Sequence, residues 1–267
     1  MKTIKILTTG ALVLLFSFGA LAQKTTIQSI EEYRAMLQDG NPADLFVDDG
    51  ADLWKKKRGP KKASLEQCDL GLGAGVVKGA FVQLPRFFQD TQRVQDLESR
   101  LLTCMENLQG FSAEKIAKTS IGKGEQVNVT ALAAYVSSES RGLKFALPQL
   151  HPDEKVAYEV GKRLFFQRGG PHDFACATCH AADGKRIRLQ DLPNLTQNPG
   201  DGVGFAAWPA YRVGNGQMWG MQKRLNDCYR QQRFPFPGFG SDATVALGVY
   251  LGVNSQGSKS IAPAIKR

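Results

Sequence analysis

The segment Cys176–His180 carries the most specific chemistry in this sequence, because two thiols separated by two residues are followed at once by a histidine. This spacing is typical of c-type haem attachment, in which both cysteines form thioethers and the histidine binds iron. A redox cysteine pair and half of a zinc site are the alternatives. The histidine and the absence of a second cysteine pair in the sequence argue against both. We therefore expect one covalent haem c, held by Cys176, Cys179 and His180.

The second axial ligand of the iron has several candidates: His151, His172, Met218, Met221 and Cys228. An internal repeat of the sequence aligns the two methionines with Val94 and Leu97, which cannot bind iron, so core packing is favoured for them. Cys228 is the favoured ligand, and a thiolate there would lower the reduction potential. A buried, inert cysteine is the alternative.

The chain around Cys228 is basic, with Lys223, Arg224, Arg230 and Arg233 close by. On a helix, Arg224 lies one turn before Cys228 on the same face. Its guanidinium could bind an oxyanion through charge-assisted hydrogen bonds. Because the repeat places Arg100 at the matching position, a purely structural role for Arg224 stays open.

The internal repeat has a constant offset of 124 residues. It relates the segment 84–87 (LPRF) to 208–211 (WPAY), and it relates Arg100 and Cys104 to Arg224 and Cys228. Apolar residues between these points recur every three or four positions, which predicts an amphipathic helix in each half.

Matching segments also flank this region, with other offsets: the helix around Gly50 resembles that around Gly161, and Leu132 and Tyr135 recur as Leu247 and Tyr250. A helix before the attachment segment and a Leu-x-x-Tyr helix at the end resemble the terminal helices of cytochrome c folds. We therefore expect a mostly α protein with two tandem cytochrome c-like domains, at 23–147 and 148–267. The first lacks the attachment motif and should carry no haem.

The N-terminal residues and the cysteines indicate the cellular compartment of the mature protein. Lys2 and Lys5, an apolar run over 11–21 and small residues ending at Ala22 predict a signal peptide over 1–22, cleaved before Gln23. An uncleaved anchor is the alternative, but the run is too short to span a membrane. The mature protein is expected in the periplasm, where disulfides persist. Cys68 and Cys104 are then free to form one, leaving Cys228 as an odd thiol.

The net charge of +9 becomes +7 once Lys2 and Lys5 are removed with the signal peptide. A positive surface favours anionic ligands or acidic partners. The sequence has no long basic run or recognisable nucleic-acid-binding module, so nucleic acid is not expected as a partner.

Three segments together resemble the SoxA family of bacterial thiosulfate oxidation: 161–166 (GKRLFF), Cys176–His180 and 224–228 (RLNDC). A first-half segment, 73–81 (GAGVVKGAF), and the residues 84–86 (LPR) share the likeness, which covers nearly the whole mature chain. Some members bind two haems, and this sequence resembles the single-haem type with a disulfide in the first domain.

The resemblance implies an L-cysteine S-thiosulfotransferase subunit, which couples thiosulfate to a cysteine of the carrier SoxYZ and releases two electrons. It implies His180 and Cys228 as axial ligands, Cys228 also as the catalytic sulfur and as a persulfide, and Arg224 as the substrate-binding residue. A haem subunit, SoxX, is the implied partner. The alternative function is an exported electron-transfer cytochrome c without thiosulfate chemistry.

Overall fold

The computed structural model describes Glu32, Met36 and residues 40–187 and 190–266. The expected signal peptide lies outside these residues. The helices are α1 Ala43–Lys55, α2 Leu97–Cys104 (continued by a π-helical turn, Met105–Gln109), α3 Ala113–Lys118, α4 Glu125–Ser138, α5 Pro152–Phe166, α6 Cys176–His180, α7 Met221–Gln232 and α8 Asp242–Asn254. The strands are β1 Arg86–Phe88, β2 Arg93–Gln95, β3 Arg186–Ile187, β4 Gln190–Asp191, β5 Ala210–Arg212, β6 Gln217–Trp219 and β7 Ala264–Lys266. Among the described residues, helices account for far more residues than the strands, each of which has only two or three residues, and this agrees with the expected mostly α class.

Each half of the chain contains one close helix crossing, and the two crossings use matching residues. A Cβ on Gly50 of α1 would lie 2.1 Å from the carbonyl oxygen of Ala131 and 2.8 Å from Cβ of Tyr135 in α4. A Cβ on Gly161 of α5 would meet Ala246 and Tyr250 of α8 at 2.0 and 2.9 Å. Glycine is required at both positions because only a residue without a side chain lets the helix backbones touch.

A two-stranded hairpin precedes α2 and another precedes α7. In the first, Phe87 pairs with Val94, and in the second, Tyr211 pairs with Met218, both in antiparallel register. These pairs are related by the offset of 124 residues seen in the sequence. The second hairpin is extended by β7, which runs parallel to β5 and brings the end of the chain onto it.

The turn before the haem-attachment segment also occurs in both halves. Isolated antiparallel bridges join Arg58 to Ala63 and Gly169 to Phe174, which gives an offset of 111 residues. The helices around Gly50 and Gly161 have the same offset. Continued along the chain, this register places Cys68 at the position of Cys179.

The same register puts Leu65 and Asp69 where the second half has Cys176 and His180. Cys68 is bonded to Cys104, with 5.5 Å between their Cα atoms. In the first half, one of the two cysteine positions of the attachment motif is thus occupied by a cysteine, Cys68, and this cysteine forms a disulfide with α2.

One apolar core runs through both halves, from Trp54 and Leu132 to Phe165, Leu225 and Leu247. Buried polar groups join the halves as well. The backbone N–H of Gln222 donates to Glu98 Oε2 at 3.0 Å, and its side-chain amide donates to Asp96 Oδ2 at 2.8 Å. The first turn of α7 is thus capped by the carboxyl group of Glu98, and Asp96 holds the side chain of Gln222. Among the described residues, no helix is long and apolar enough to cross a membrane.

Candidate functional site

Helix α6 is one short turn that presents the thiols of Cys176 and Cys179 and the imidazole of His180. The hydroxyl of Thr178 accepts a hydrogen bond from the backbone N–H of Ala175 at 3.0 Å, which closes the start of the helix. The thiols are free and partly exposed. Two thiols and an imidazole on a single turn are the protein groups that thioether attachment of a haem requires.

The orientation of His180 is fixed by the segment that follows it. Its Nδ1 lies 2.9 Å from the carbonyl oxygen of Pro193, so this nitrogen carries the proton and donates it. The backbone N–H of Leu195 donates to the carbonyl oxygen of His180 at 2.7 Å. Burial lowers the pKa of His180, and the charge of Arg224 also lowers it. The neutral ring therefore keeps Nε2 free as a metal ligand.

Helix α7 carries Arg224 and Cys228 towards α6. Its N-cap is Gly220, which supplies no capping side chain, so the carboxylate of Glu98 takes that role. At the other end of the helix, Gln232 is close enough to Cys176 for its side chain to lower the pKa of that thiol. Cys228 lies close to both thiols of α6. A charge on Cys228 would raise the pKa of Cys176, and a charge on Cys179 would raise the pKa of Cys228. The structure therefore brings together five of the residues that the sequence singled out: Cys176, Cys179, His180, Arg224 and Cys228.

Burial raises the pKa of two thiols in this cluster, those of Cys176 and Cys228. Burial, followed by the charge of Cys228, raises the pKa of Cys176 to about 12. Burial also raises the pKa of Cys228, while the nearby charges of Arg224 and Arg212 oppose that rise. The arginines are thus placed to favour a thiolate or another anion beside Cys228.

Arg224 has two partners inside the protein. Its Nη1 donates to Asp227 Oδ2 at 3.0 Å, and its guanidinium lies 5.8 Å from the ring centre of Trp208. The Asp227 carboxylate is shared, because Arg230 and Gln231 also donate to it. The interpretation of Arg224 as a brace therefore has support, yet one shared carboxylate does not neutralise the site. Lys223 lies over Trp219, whereas Arg230 and Arg233 are exposed.

Arg212 and Trp219 belong to this site and were not singled out by the sequence. The guanidinium of Arg212 lies 5.3 Å from the ring centre of Trp219, and its charge acts on both Arg224 and Cys228. Burial and the charge of Arg224 lower the pKa of Arg212. Arg212 Nε and Trp219 Nε1 are buried and have no hydrogen-bond partner among the described residues. The strand pattern around them is too short to have indicated this contact.

The other candidates for an iron ligand have other surroundings. Met218 is buried against Ala43 and Ala134 of the first half, and Met221 packs against the apolar core. The ring of His151 stacks on that of Phe87, with 3.6 Å between the ring centres. Its Nδ1 accepts a hydrogen bond from the backbone N–H of Asp153 in the first turn of α5. His172 is exposed beside Phe174.

The imidazole and thiol groups on α6 and α7 are of the kinds that bind a haem in proteins. One histidine with a free Nε2 and one thiol could bind the iron, and two further thiols are available for attachment. Among the described residues, no group of three or more His, Cys, Asp or Glu side chains could hold a metal ion.

Comparison with known proteins gives the family. Residues 49–145 match the cytochrome c domain of the SoxA/TsdA family. The matched residues lie in the half without the attachment motif. The L-cysteine S-thiosulfotransferase subunit SoxA of Hydrogenophilus thermoluteolus is 55% identical over 90% of this chain and 88% of its own length. This chain belongs to the SoxA family.

More distant relatives agree with this. A SoxA subunit with the same activity in its name, from Hydrogenobacter thermophilus, is 34% identical over 85% of this chain and 82% of its own length. The crystal structure of SoxXA from P. pantotrophus superposes with a TM-score of 0.73 at 23% identity, covering 88% of this chain and 84% of that one. The fold is therefore the cytochrome c-like fold of SoxA, which implies haem c as the cofactor.

Proposed function

We propose that this chain is the L-cysteine S-thiosulfotransferase subunit of a SoxAX complex, in which thiosulfate is joined to a cysteine of the carrier SoxYZ. The observation that carries this proposal is the position of Cys228. Its thiol lies one helical turn after Arg224, beside the thiols of α6 and within the field of two arginines. The names of the SoxA relatives support the same activity.

One haem c per chain is part of the proposal. Cys176 and Cys179 would attach it, and His180 and Cys228 would bind its iron. When bound, such a haem accepts electrons at a potential that a thiolate ligand lowers. The first half, residues 23–147, is a cytochrome c-like domain without haem, in which the Cys68–Cys104 disulfide links α2 to the motif position. The second, 148–267, is the haem-binding domain.

The overall reaction joins the outer sulfur of thiosulfate to the sulfur of a carrier cysteine. One sulfur–sulfur bond forms, the cysteine thiol loses its proton, and two electrons leave for the haem groups of the complex. In this account, the sulfur of Cys228 and the outer sulfur of thiosulfate form an S–S bond in the step that releases the two electrons and the thiol proton. The carrier cysteine, as a thiolate, then attacks the outer sulfur, breaks that bond and releases the Cys228 thiolate, as in thiol–disulfide exchange, and its own proton balances the one that returns to Cys228. Arg224 holds the dianion through charge-assisted hydrogen bonds.

The partners follow from this activity. A SoxX haem subunit accepts electrons, SoxYZ accepts the thiosulfonate group, and thiosulfate is the small substrate. Residues 1–22 are a signal peptide that sends the chain to the periplasm. The similarity to the SoxXA crystal structure and the names of the relatives support the first of these partners.

The test is a conjugation assay with the purified chain, SoxX and reduced SoxYZ. We expect thiosulfate to be consumed and the carrier cysteine to gain the thiosulfonate mass, which intact-protein mass spectrometry detects. Carrier whose cysteine has been alkylated is the control and should remain unmodified. A chain that is reduced and oxidised normally but never modifies the carrier would instead be an electron-transfer cytochrome.

A further inference from the structure

Arg100 in α2 and Arg224 in α7 occupy equivalent positions in the two halves, but their surroundings differ. In the first half, Arg100 Nη1 donates to both carboxylate oxygens of Asp90 at 2.8 and 2.9 Å. Its Nε donates to the carbonyl oxygen of Asp69 at 2.6 Å, and its guanidinium lies 4.0 Å from the ring centre of Phe88. The charge of Arg100 is therefore neutralised within the chain.

The second half lacks this internal carboxylate. The two hairpins have strands and loops of equal length, so the offset of 124 residues puts Gly214 at the place of Asp90. The same offset puts Arg212 at the place of Phe88. Asp227, at the place of Thr103, supplies a carboxylate to Arg224, but Arg230 and Gln231 share that carboxylate. Arg212 adds a positive charge that the first half lacks at this place.

Two buried hydrogen-bond donors near Arg224, Arg212 Nε and Trp219 Nε1, have no partner among the described residues. Trp219, which takes the position of Gln95, is only 7% exposed, and its Nε1 has no partner among the described residues. In the first half, Gln95 Oε1 accepts from Arg100 Nη1 at 3.3 Å. Buried donors of this kind are usually satisfied, and two neighbouring guanidinium groups repel each other unless an anion lies between them.

We infer that Arg212 and Trp219, together with Arg224, bind an oxyanion at the place that the Asp90 carboxylate fills in the first half. The inference rests on the proposed function and adds two residues to the substrate site. The occupant is the sulfonate end of thiosulfate, whose three oxygens match three donor groups and leave the outer sulfur free for Cys228. The carboxylates of a bound haem offer the same chemistry and are the other source.

Restoring the missing carboxylate gives a direct test. A Cβ at Gly214 would meet no atom within 4 Å, so Gly214→Asp adds a carboxylate without a steric clash. In the haem-loaded protein with SoxX and SoxYZ, we expect this variant to raise the KM for thiosulfate about tenfold or more, as for loss of charged hydrogen bonds. Asn215→Asp is the control, since it adds the same charge at an exposed neighbouring position and should change KM less than about twofold.

A second readout does not depend on turnover. Sulfate is an unreactive dianion, and its binding should raise the Tm of the haem-loaded wild-type protein and of Asn215→Asp. Gly214→Asp should lose this stabilisation. Trp219→Phe keeps an aromatic ring but removes Nε1, so it should weaken both sulfate stabilisation and thiosulfate affinity.

The results separate the two sources of the anion. A raised KM with loss of sulfate stabilisation identifies the substrate anion as the occupant. An unchanged KM with a shifted haem reduction potential in Gly214→Asp identifies the haem carboxylates. If KM, sulfate stabilisation and potential are all unchanged, the inference is wrong. A wild-type protein that binds sulfate but never conjugates thiosulfate would contradict the proposed function and leave the anion site in place.

Discussion

Gly161 in α5 lies against the backbone of Ala246 in α8, with room for a hydrogen atom but not for a methyl group. The same relationship joins Gly50 to Ala131 in the first half. These two crossings determine how the helices that flank each half are packed, and the second one supports the helices around the haem-attachment segment.

We expect Gly161→Ala to destabilise the protein by about 3 kcal/mol or more, because the new methyl group would force α5 away from α8. Urea unfolding followed by circular dichroism measures this loss. Gly248→Ala in α8 is the matched control, since its Cβ would meet Pro85 at an ordinary 3.7 Å. That variant should be neutral or gain up to about 1 kcal/mol from helix propensity. Equal effects of the two substitutions would contradict the close crossing.

Cys228→Ala should keep the covalent haem and the fold, because attachment depends on Cys176 and Cys179. Loss of the thiolate should change the low-spin ferric spectrum, raise the reduction potential and abolish thiosulfate conjugation. Electron paramagnetic resonance and the conjugation assay measure these effects. An unaltered spectrum with normal turnover would make a methionine ligand, Met218 or Met221, the better assignment.

Arg224→Ala should leave the haem spectrum nearly unchanged while lowering turnover with thiosulfate. Loss of one charged hydrogen bond costs about 1.5–3 kcal/mol, or about one to two decades in rate. Arg230→Ala is the control, since Arg230 also pairs with Asp227 but is exposed. Similar losses in both variants would indicate that Arg224 acts only as a brace for α7.

Replacing both Cys68 and Cys104 by alanine should destabilise the chain by about 4 kcal/mol, since their disulfide spans 36 residues. Pyridine haemochrome analysis should still find one haem per chain, because the attachment segment lies in the other half. Two haems in the wild-type protein, or free thiols at both positions on peptide mapping, would disprove this account of the first half.

The stability of the protein should fall as the pH rises from about 4.5 to 8. Burial, with a smaller contribution from the charge of Asp96, raises the pKa of Glu98 to about 8, whereas the unfolded chain has an ordinary carboxyl. Between these values the folded state holds a proton that the unfolded state releases, so each pH unit costs up to about 1.4 kcal/mol.

Glu98→Gln should reduce this slope, since the amide can still accept from the backbone N–H of Gln222 but does not titrate. Unfolding in urea at a series of pH values measures the slope. Glu114→Gln, at an exposed ion pair with Lys118, is the control and should leave the slope unchanged.

The sequence predicted features that depend on spacing along the chain. The offset of 124 residues correctly paired the two hairpins and α2 with α7, because each match lies within one uninterrupted segment. It also placed Arg224 and Cys228 on one face of a helix.

Features that arise between segments could not be predicted in this way. Arg212 and Trp219 lie on two strands of three residues each, and no period in so short a pattern indicates which way a side chain points. The capping of α7 by Glu98 joins residues 124 positions apart. Nothing local to Gly220 indicates that a distant carboxylate would replace its missing cap.

Because Glu98 of the first half caps α7 of the second half, the two halves cannot be studied as separate fragments. A cut near residue 148 would separate Gln222 from both Asp96 and Glu98, and would also part Phe145 from its backbone partners at Gly257 and Ser258. A fragment containing only the second half would expose the start of its arginine-bearing helix to water and open an apolar face. Work on the haem chemistry in isolation therefore requires the whole mature chain, and point variants are the suitable tool for separating the contributions of the halves.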